Sequence, residues 1–500
     1  SGGVALGAQG QGLVDLREMS LDDLMRLEVT APTRTSLSQF EVPQAVTVLT
    51  RADIERLPAH NVPEVLRSVV GANVVRVQTS QNVLGARGSN AFTPALILIL
   101  IDGQPISPTL FSTTWWDLIP VSLGDVERIE FIRSPGTIYG ANAQHGVVNI
   151  VTTPADASSR TLRVSNELGQ QQLQQHYVGH RGRIGSVSYH ASTELTRVDA
   201  YQNPQRREII PGRLSASGEQ TFSTSPRQPD LQNFAGSIRA PLAGNQLGAS
   251  VGLKQVRSAQ GRVPDRLCFV GLEGLVGFAN TQYTIRAGDT THTISAGADL
   301  GSYEFVRNSD ADALSPAAAR QITTALAYEA QARIRERHQL IAGLRYSLET
   351  AANVSGERLF VEGQVHRSPT VTAHMQDEWR LTSSGRLYVG GLFSHHYVSG
   401  ASLAPLVAYV HTFDEKHVVR AGTFTSYRNP NVFEHSMEYD QISGASGKVT
   451  NLVANSDLRS ERTTSYEIGF RSLPTRRLFL SADLYLNQIG DGIEWSLAGV

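Results

Sequence analysis

From about residue 160 onward the chain is written in short stretches of alternating polar and apolar residues, each closed by Gly, Pro, Asn, Asp or Ser. TLRVSNELG, QLGASVGLKQV, HQLIAGLRYSLE and RLFLSADLYLNQI are examples. A period of two sends successive side chains to opposite faces of a strand, so this region is committed to β-structure with two chemically different faces. A strand crossing a bilayer needs about 9–11 such residues, one face to lipid and one to a lumen. Long polar stretches (199–230, 306–320, 350–368, 431–460) separate some strand candidates, while other connections are short. Long loops on one side and tight turns on the other suit an outer-membrane barrel. Alternation alone also suits a soluble sandwich or propeller, although no propeller-length repeat with a fixed motif is present.

Composition narrows the alternatives. The 500 residues are 40% apolar and 18% charged, which is too apolar for a disordered chain. The longest strongly apolar run, Ala95 to Ile101, is far too short for a transmembrane helix. Lys and Arg total 44 against 46 acidic residues, a formal charge of −2, so no basic coat for nucleic acid exists. Cys268 is the single cysteine and permits neither an internal disulfide nor a cysteine metal site. Residues 1–12, SGGVALGAQGQG, are small and uncharged, as the tail of a secretory signal is.

Before about residue 155 the texture differs. Ser20 with Asp23 is a candidate helix start for SLDDLMRLEV, and LEVTAPTRTS is extended, with Pro32 stopping a helix. QAVTVLT (44–50) alternates as a strand. Thr50 with Asp53 opens a short helix, and Asn61 with Glu64 opens another with Pro63 in its first turn. NVVRV (73–77), ALILILID (95–102), VERIEFIR (126–133) and GVVNIVTT (146–153) are further strand candidates. Together these predict a small α/β module.

PALILILIDGQPI (94–106) is a buried strand ended by an Asp-Gly turn, and VERIEFIRSPGTIYGANAQHGVVNIVTT (126–153) is strand, Gly-rich turn, strand. With residues 41–77 and GARGSN (85–90), they resemble, in order and spacing over residues 20–155, the plug domain of TonB-dependent outer-membrane receptors. AHMQDEWRL (373–381), TSYRNPNVFEH (425–435), ANSDLRSERTTSYEIGF (454–470) and SADLYLNQIGDGIEW (481–495) are similar to barrel motifs of that family. Two departures are mild: Ser456 replaces a usual Pro, and the plug's usual Arg-Gly-Pro reads Arg133-Ser134-Pro135-Gly136.

The resemblance implies a mainly β fold: a transmembrane antiparallel β-barrel, incomplete over these residues, with an N-terminal α/β plug domain inside it. The expected boundaries are 1–35 for an N-terminal segment, 36–155 for the plug and 156–500 for the barrel. Family barrels have about 22 strands, whereas 156–500 suffices for about 15 at roughly 22–24 residues each; the sequence therefore reads as a C-terminally truncated member. The implied function is energy-coupled import of a scarce, bulky nutrient across the outer membrane of a Gram-negative bacterium. A ferric siderophore is the leading cargo, haem or cobalamin the next, and a passive porin-like channel the reading from another class. The implied partners are TonB, outer-membrane lipid and the small-molecule ligand, with a monomeric receptor and no resident cofactor or metal.

The resemblance also assigns residues. Leu27, Glu28, Val29, Thr30 and Ala31 resemble a TonB box, the alternative being an ordinary edge strand. Arg87 and Arg133 of the plug would face barrel carboxylates Glu461 and Glu467, unless these charges are simply solvated. Gln78, Gln81, Asn82, Phe111, Trp115 and Trp116 would meet ligand at the plug apices, although the two tryptophans equally suit packing against the barrel wall. His435 lies where haem receptors of the family place a ligating His, in a layout shared by non-haem members. No enzyme is expected: Gly248-Ala249-Ser250-Val251-Gly252 matches a hydrolase elbow pattern, but it sits within a continuous alternating strand rather than a strand-to-helix turn.

Overall fold

The computed structural model describes residues 28–29, 37–38, 40–76, 82–88, 97–106, 109–110, 113–114, 116–135, 137–155, 160–170, 173–198, 230–259, 271–306, 317–356, 365–414, 416–436, 438–442, 449–475 and 478–493. Its N-terminal unit contains strands β1 (Val46–Thr50), β2 (Ala72–Arg76), β3 (Asn82–Ala86), β4 (Ile97–Ile101), β5 (Gln104–Pro105), β6 (Val126–Ile132) and β7 (Gly146–Thr152), with helices α1 (Arg51–Arg56) and α2 (Val62–Leu66).

Local chemistry sets these elements. Thr50 accepts from the Asp53 N–H while the Asp53 carboxylate accepts from the Thr50 N–H at 2.9 Å, a reciprocal cap that starts α1. Asn61 Oδ1 accepts from the Glu64 N–H at 3.0 Å and starts α2. Strands β1, β6, β7, β4 and β5 form one sheet in that order, with β7 and β4 parallel and the other pairs antiparallel. β4 reads ILILI and is buried throughout because the sheet is covered on both faces. Ile97, Ile99 and Ile101 join Ile54, Leu66 and Phe131 on one face; Leu98 and Leu100 join Val46, Ile132 and Tyr139 on the other.

The Asp-Gly turn after β4 takes positive φ at both residues, +50° at Asp102 and +76° at Gly103. Gly146 opens β7 at φ +145°, where an added Cβ would lie 2.3 Å from the Ile132 carbonyl oxygen. That closeness lets the Gly-rich turn fold back onto β6.

The remainder is a 15-stranded antiparallel sheet running without crossovers from Thr161–Leu168 to Leu478–Gly490. Tight turns with positive φ, such as Ala243-Gly244 and Arg335-Glu336, gather at one rim, because mirror-type turns match strand twist. The longer connections gather at the other. One of these holds helix α3 (Val432–Ser436) and the hairpin Glu438–Ile442 with Val449–Val453.

The strand Glu461–Thr475 shows why the sequence alternates. Ser465, Glu467 and Arg471 point inward and are buried, while Tyr466, Ile468 and Phe470 are exposed on the outer face. An outer face of this kind repeats around the sheet, for example at Leu403, Val407, Ile294, Leu484 and Leu486. So much exposed apolar surface is stable in lipid and not in water. Strands reach 19 residues at His338–Gly356, roughly 60 Å along their length. They exceed the 9–11 residues a bilayer requires because they continue past the lipid at the rim of long connections.

Candidate functional site

The N-terminal unit sits inside the curved sheet, and their mutual contacts form the chemically richest region. Arg87 follows β3 at φ +55°, its N–H bonded to the Gly71 carbonyl at 3.0 Å. This unusual backbone aims its guanidinium at the wall. Nη1 and Nη2 donate to the two carboxylate oxygens of Glu467 at 2.5 and 3.0 Å, and the guanidinium carbon lies 4.5 Å from the centre of the Tyr485 ring. Ser134 Oγ donates to the same carboxylate at 2.8 Å.

Arg133 lies close by but is arranged differently from the expectation. It approaches Asp483 at 3.8 Å and donates to the Val70 carbonyl oxygen, whereas Glu461 is met by Arg428 at 3.7 Å. Glu461 meets the plug through its backbone oxygen, which accepts from Gln144 at 3.0 Å. Of the four charges assigned from sequence, the structure therefore joins Arg87 with Glu467 directly and gives Arg133 and Glu461 other partners. Burial is the largest influence on Arg133 and lowers its pKa, with Asp483 opposing.

Several participants carried no motif. Arg420 Nη1 donates to the Pro43 carbonyl at 2.8 Å and Nη2 to Asp483; Arg471 donates to the Gln44 carbonyl at 2.8 Å. Arg386 pairs with Glu41 at 2.5 Å. Gly469 makes room for Arg420, since a Cβ there would lie 2.4 Å from its Nε. The available signal was positional: each is a charge on the inward phase of an alternating strand.

A second group of contacts fixes the opposite side of the plug. Asp125, buried at the start of β6, accepts from Tyr177 Oη and Ser192 Oγ, both at 2.8 Å, and lies 3.3 Å from His190 Nε2. Burial raises the Asp125 pKa, and His190 and the two hydroxyl donors oppose the rise. Asn233 donates to Ser122 Oγ at 2.8 Å and Lys254 to the Ile119 carbonyl at 3.2 Å. The stretch Ile119–Asp125 is thereby tied to four consecutive barrel strands.

The expected ligand-facing residues divide. Gln78, Gln81, Phe111 and Trp115 lie outside the described residues. Asn82 is 1% exposed, at the start of β3. Trp116 is also buried, in the apolar cluster that includes Ile119, Val121 and the barrel residue Phe278. It packs plug against wall, which corrects its placement on an exposed ligand-facing loop: an indole gains more from this apolar contact than from water. His435 lies in α3, its Nδ1 2.6 Å from Ser436 Oγ and its ring 6.4 Å from that of His396. Burial, then His366, pushes its pKa down to about 4, so the imidazole is neutral at pH 7. Glu28–Val29 pairs antiparallel with Leu37–Ser38, while Leu27, Thr30 and Ala31 lie outside the described residues. Ser250 of the elbow-like pattern lies mid-strand within Asn245–Ala259, without a strand-to-helix turn.

Comparison with known proteins gives a consistent picture. The TonB-dependent receptor plug domain matches residues 38–147, and the TonB-dependent receptor-like β-barrel matches residues 154–500. The iron-regulated outer membrane virulence protein of Vibrio cholerae is 23% identical over 464 residues, covering 90% of this chain and 66% of the relative. A probable TonB-dependent siderophore receptor, PirA of Acinetobacter baumannii, is 22% identical, covering 87% of this chain and 65% of the relative. The chain thus spans about two thirds of the length of these curated relatives. Among solved structures, a point mutant of the ferric enterobactin receptor of Pseudomonas aeruginosa superposes with a TM-score of 0.73 at 18% identity, over 91% of this chain and 72% of that one. The siderophore receptor PirA of Acinetobacter baumannii gives 0.71 at 16% identity, over 89% and 71%. With both domain families matched in order across most of its length, the chain belongs to the TonB-dependent receptors of the Gram-negative outer membrane.

Proposed function

We propose that this chain works as an energy-coupled importer of a ferric siderophore. The observation that carries the reading is the buried Arg87–Glu467 pair, which fastens a plug inside a membrane sheet by contacts that water can replace. A plug held by apolar packing alone would have no comparably replaceable fastening; charge pairs beside polar neighbours hold firmly at rest and yield under load. The named cargo and setting of the relatives, iron regulation and siderophore receptors among them, support iron as the nutrient.

The outer membrane holds neither ATP nor an ion gradient, so the work must come from a periplasmic partner. Residues Leu27–Ala31 are the proposed contact for TonB. Pairing of Glu28–Val29 with Leu37–Ser38 supports a segment ready for strand addition, in which main-chain hydrogen bonds resist pulling. The receptor acts as a monomer, with the plug apex and the long connections offering the ligand surface, and the cargo passes without chemical change.

A visible-absorbance titration against ferric enterobactin, haemin and cobalamin tests the cargo. Saturable binding of ferric enterobactin alone is expected. Preference for haemin or cobalamin overturns the siderophore, and silence across the panel moves the cargo to a colourless solute. Deleting residues 27–31 should abolish energised uptake and spare binding; unchanged uptake would mark a passive channel instead.

A further inference from the structure

The outer face of the sheet changes character at the rim of tight turns. On the hairpin around Asp414 and Lys416, Tyr409, His411 and Phe413 share the outward phase of one strand, and Tyr409 and Phe413 are exposed. Asp414 pairs with His417 across the turn, and exposed Phe470 lies on the strand beyond. The rings form two groups. Tyr409 and His411 stack with centroids 6.1 Å apart, His411 meets Phe413 edge-on at 4.6 Å, and His417 lies parallel to Phe470 at 6.5 Å. Aromatic rings commonly mark the border between hydrocarbon and headgroups. Imidazoles and fixed charges set among them are what this hairpin adds.

Each imidazole is held by one nitrogen. Nδ1 of His417 lies 2.7 Å from Ser472 Oγ, and Nδ1 of His411 lies 3.2 Å from Tyr409 Oη. A hydroxyl that donates to Nδ1 leaves the ring proton on Nε2. The Lys416 backbone N–H donates to Asp414 Oδ1 at 2.8 Å, and Asp414 Oδ2 lies 3.8 Å from His417 Nε2. The carboxylate is thereby fixed at the turn, with the exposed Lys416 side chain beside it. Donors for an anion and an acceptor for a cation stand together at one turn. His292, on the same face and rim, is built differently. Its Nδ1 lies 2.8 Å from Tyr328 Oη and its Nε2 3.2 Å from Thr290 Oγ1, so both nitrogens are engaged within the sheet.

We propose that this hairpin seats a phospholipid headgroup carrying both a phosphate and a primary ammonium, in the leaflet on the side of the short turns. The phosphate oxygens accept from His411 Nε2–H and the Lys416 ammonium, the lipid ammonium donates to Asp414, and the exposed rings cover the glycerol and the first methylenes. The site is continuous with the apolar outer face, against which the acyl chains already lie. Charge selects the class of lipid. A headgroup with a phosphate and no cation would set its negative charge beside Asp414, and a choline trimethylammonium has no N–H to give that carboxylate. The proposal is independent of the cargo.

The test is a lipid competition. The full chain, purified in non-ionic detergent and folded by the criterion of heat-modifiable mobility, is mixed with equal amounts of dioleoyl phosphatidylethanolamine, phosphatidylcholine and phosphatidylglycerol, and bound lipid is read by native mass spectrometry. The ethanolamine lipid should exceed each of the others by about threefold, the scale of one exposed charge contact. Equal retention, or preference for the glycerol lipid, overturns the proposal. Asp414→Asn should erase the preference, and a preference kept in full overturns it too. His411→Phe keeps a ring and removes the N–H; it should lower retention of the ethanolamine lipid about threefold, whereas His292→Phe should leave it unchanged. Equal effects of the two would mean ring packing alone and overturn the phosphate contact. N-methylated forms of the ethanolamine lipid need no variant: binding to the parent should fall as N–H groups are replaced, and a flat series overturns the ammonium contact. Excess inorganic phosphate should leave the lipid bound; its displacement would mark a site for the free anion instead.

Discussion

Arg87 and Glu467 stand 380 positions apart in the chain and meet in a two-pronged ion pair, with N···O distances of 2.5 and 3.0 Å and both side chains almost entirely buried. A bidentate guanidinium–carboxylate contact fixes orientation as well as distance. The Tyr485 ring covers the guanidinium and Ser134 completes the carboxylate, so neither charge is left without partners. The pair is thus a directional fastening between plug and wall.

Removing one partner should expose its worth. Arg87→Ala leaves Glu467 buried with the hydroxyls of Ser134 and Ser465 and with Arg420 at 3.8 Å, and is expected to weaken plug seating by about 3–5 kcal/mol. Arg87→Lys keeps the charge but loses the fork, and should cost less. Hydrogen exchange of β7 amides in urea reads the difference; identical protection in Arg87→Ala and parent would mean the pair does not hold the plug.

Gly469 offers a second test, through the neighbouring Arg420. An added methyl would meet the Arg420 guanidinium at 2.4–2.6 Å and push it from Pro43 and Asp483. Gly469→Ala should destabilise the folded receptor by about 1–3 kcal/mol, the usual cost of overpacking. It should also lower protection near β1, and unchanged exchange there would show that Arg420 does not secure the plug's first strand.

His145 makes plug stability depend on pH. The ring is buried, both its nitrogens lack hydrogen-bond partners among the described residues, and burial lowers its pKa, with Glu461 opposing. The unfolded chain takes up a proton near the ordinary imidazole value of 6.5 while the folded plug resists it. Its contribution is therefore full above that value and is lost as pH falls below it toward the depressed folded value. His145→Phe should flatten the loss of plug protection between about pH 7.5 and 5. A slope as steep as the parent's would place the titration elsewhere.

Trp116 separates packing from recognition. Its burial beside Ile119, Val121 and Phe278 predicts that Trp116→Ala costs about 3–5 kcal/mol of plug stability. Ferric enterobactin affinity of the folded fraction should stay within about twofold. A tenfold loss of affinity at full folding would return this indole to the ligand surface.

The alternation after residue 160, the caps at Thr50 and Asn61 and the Asp-Gly turn after Ile101 each act over a few neighbouring residues, and they specified strands, helix starts and reversals before any contact was known. The alternation of Glu461–Thr475 sends Glu467 and Arg471 to the same, inward face. Three-dimensional folding decided the partners. Arg133 meets Asp483 rather than Glu461 or Glu467 because the register of 15 strands and the seating of the plug jointly set which inward charge stands opposite which. Trp116 turned to the core for the same reason: Phe278 lies 162 positions away in sequence and is brought to it only by the closed fit of plug and wall. Local pattern determines how a residue points; only the summed geometry of the whole sheet determines what it finds there.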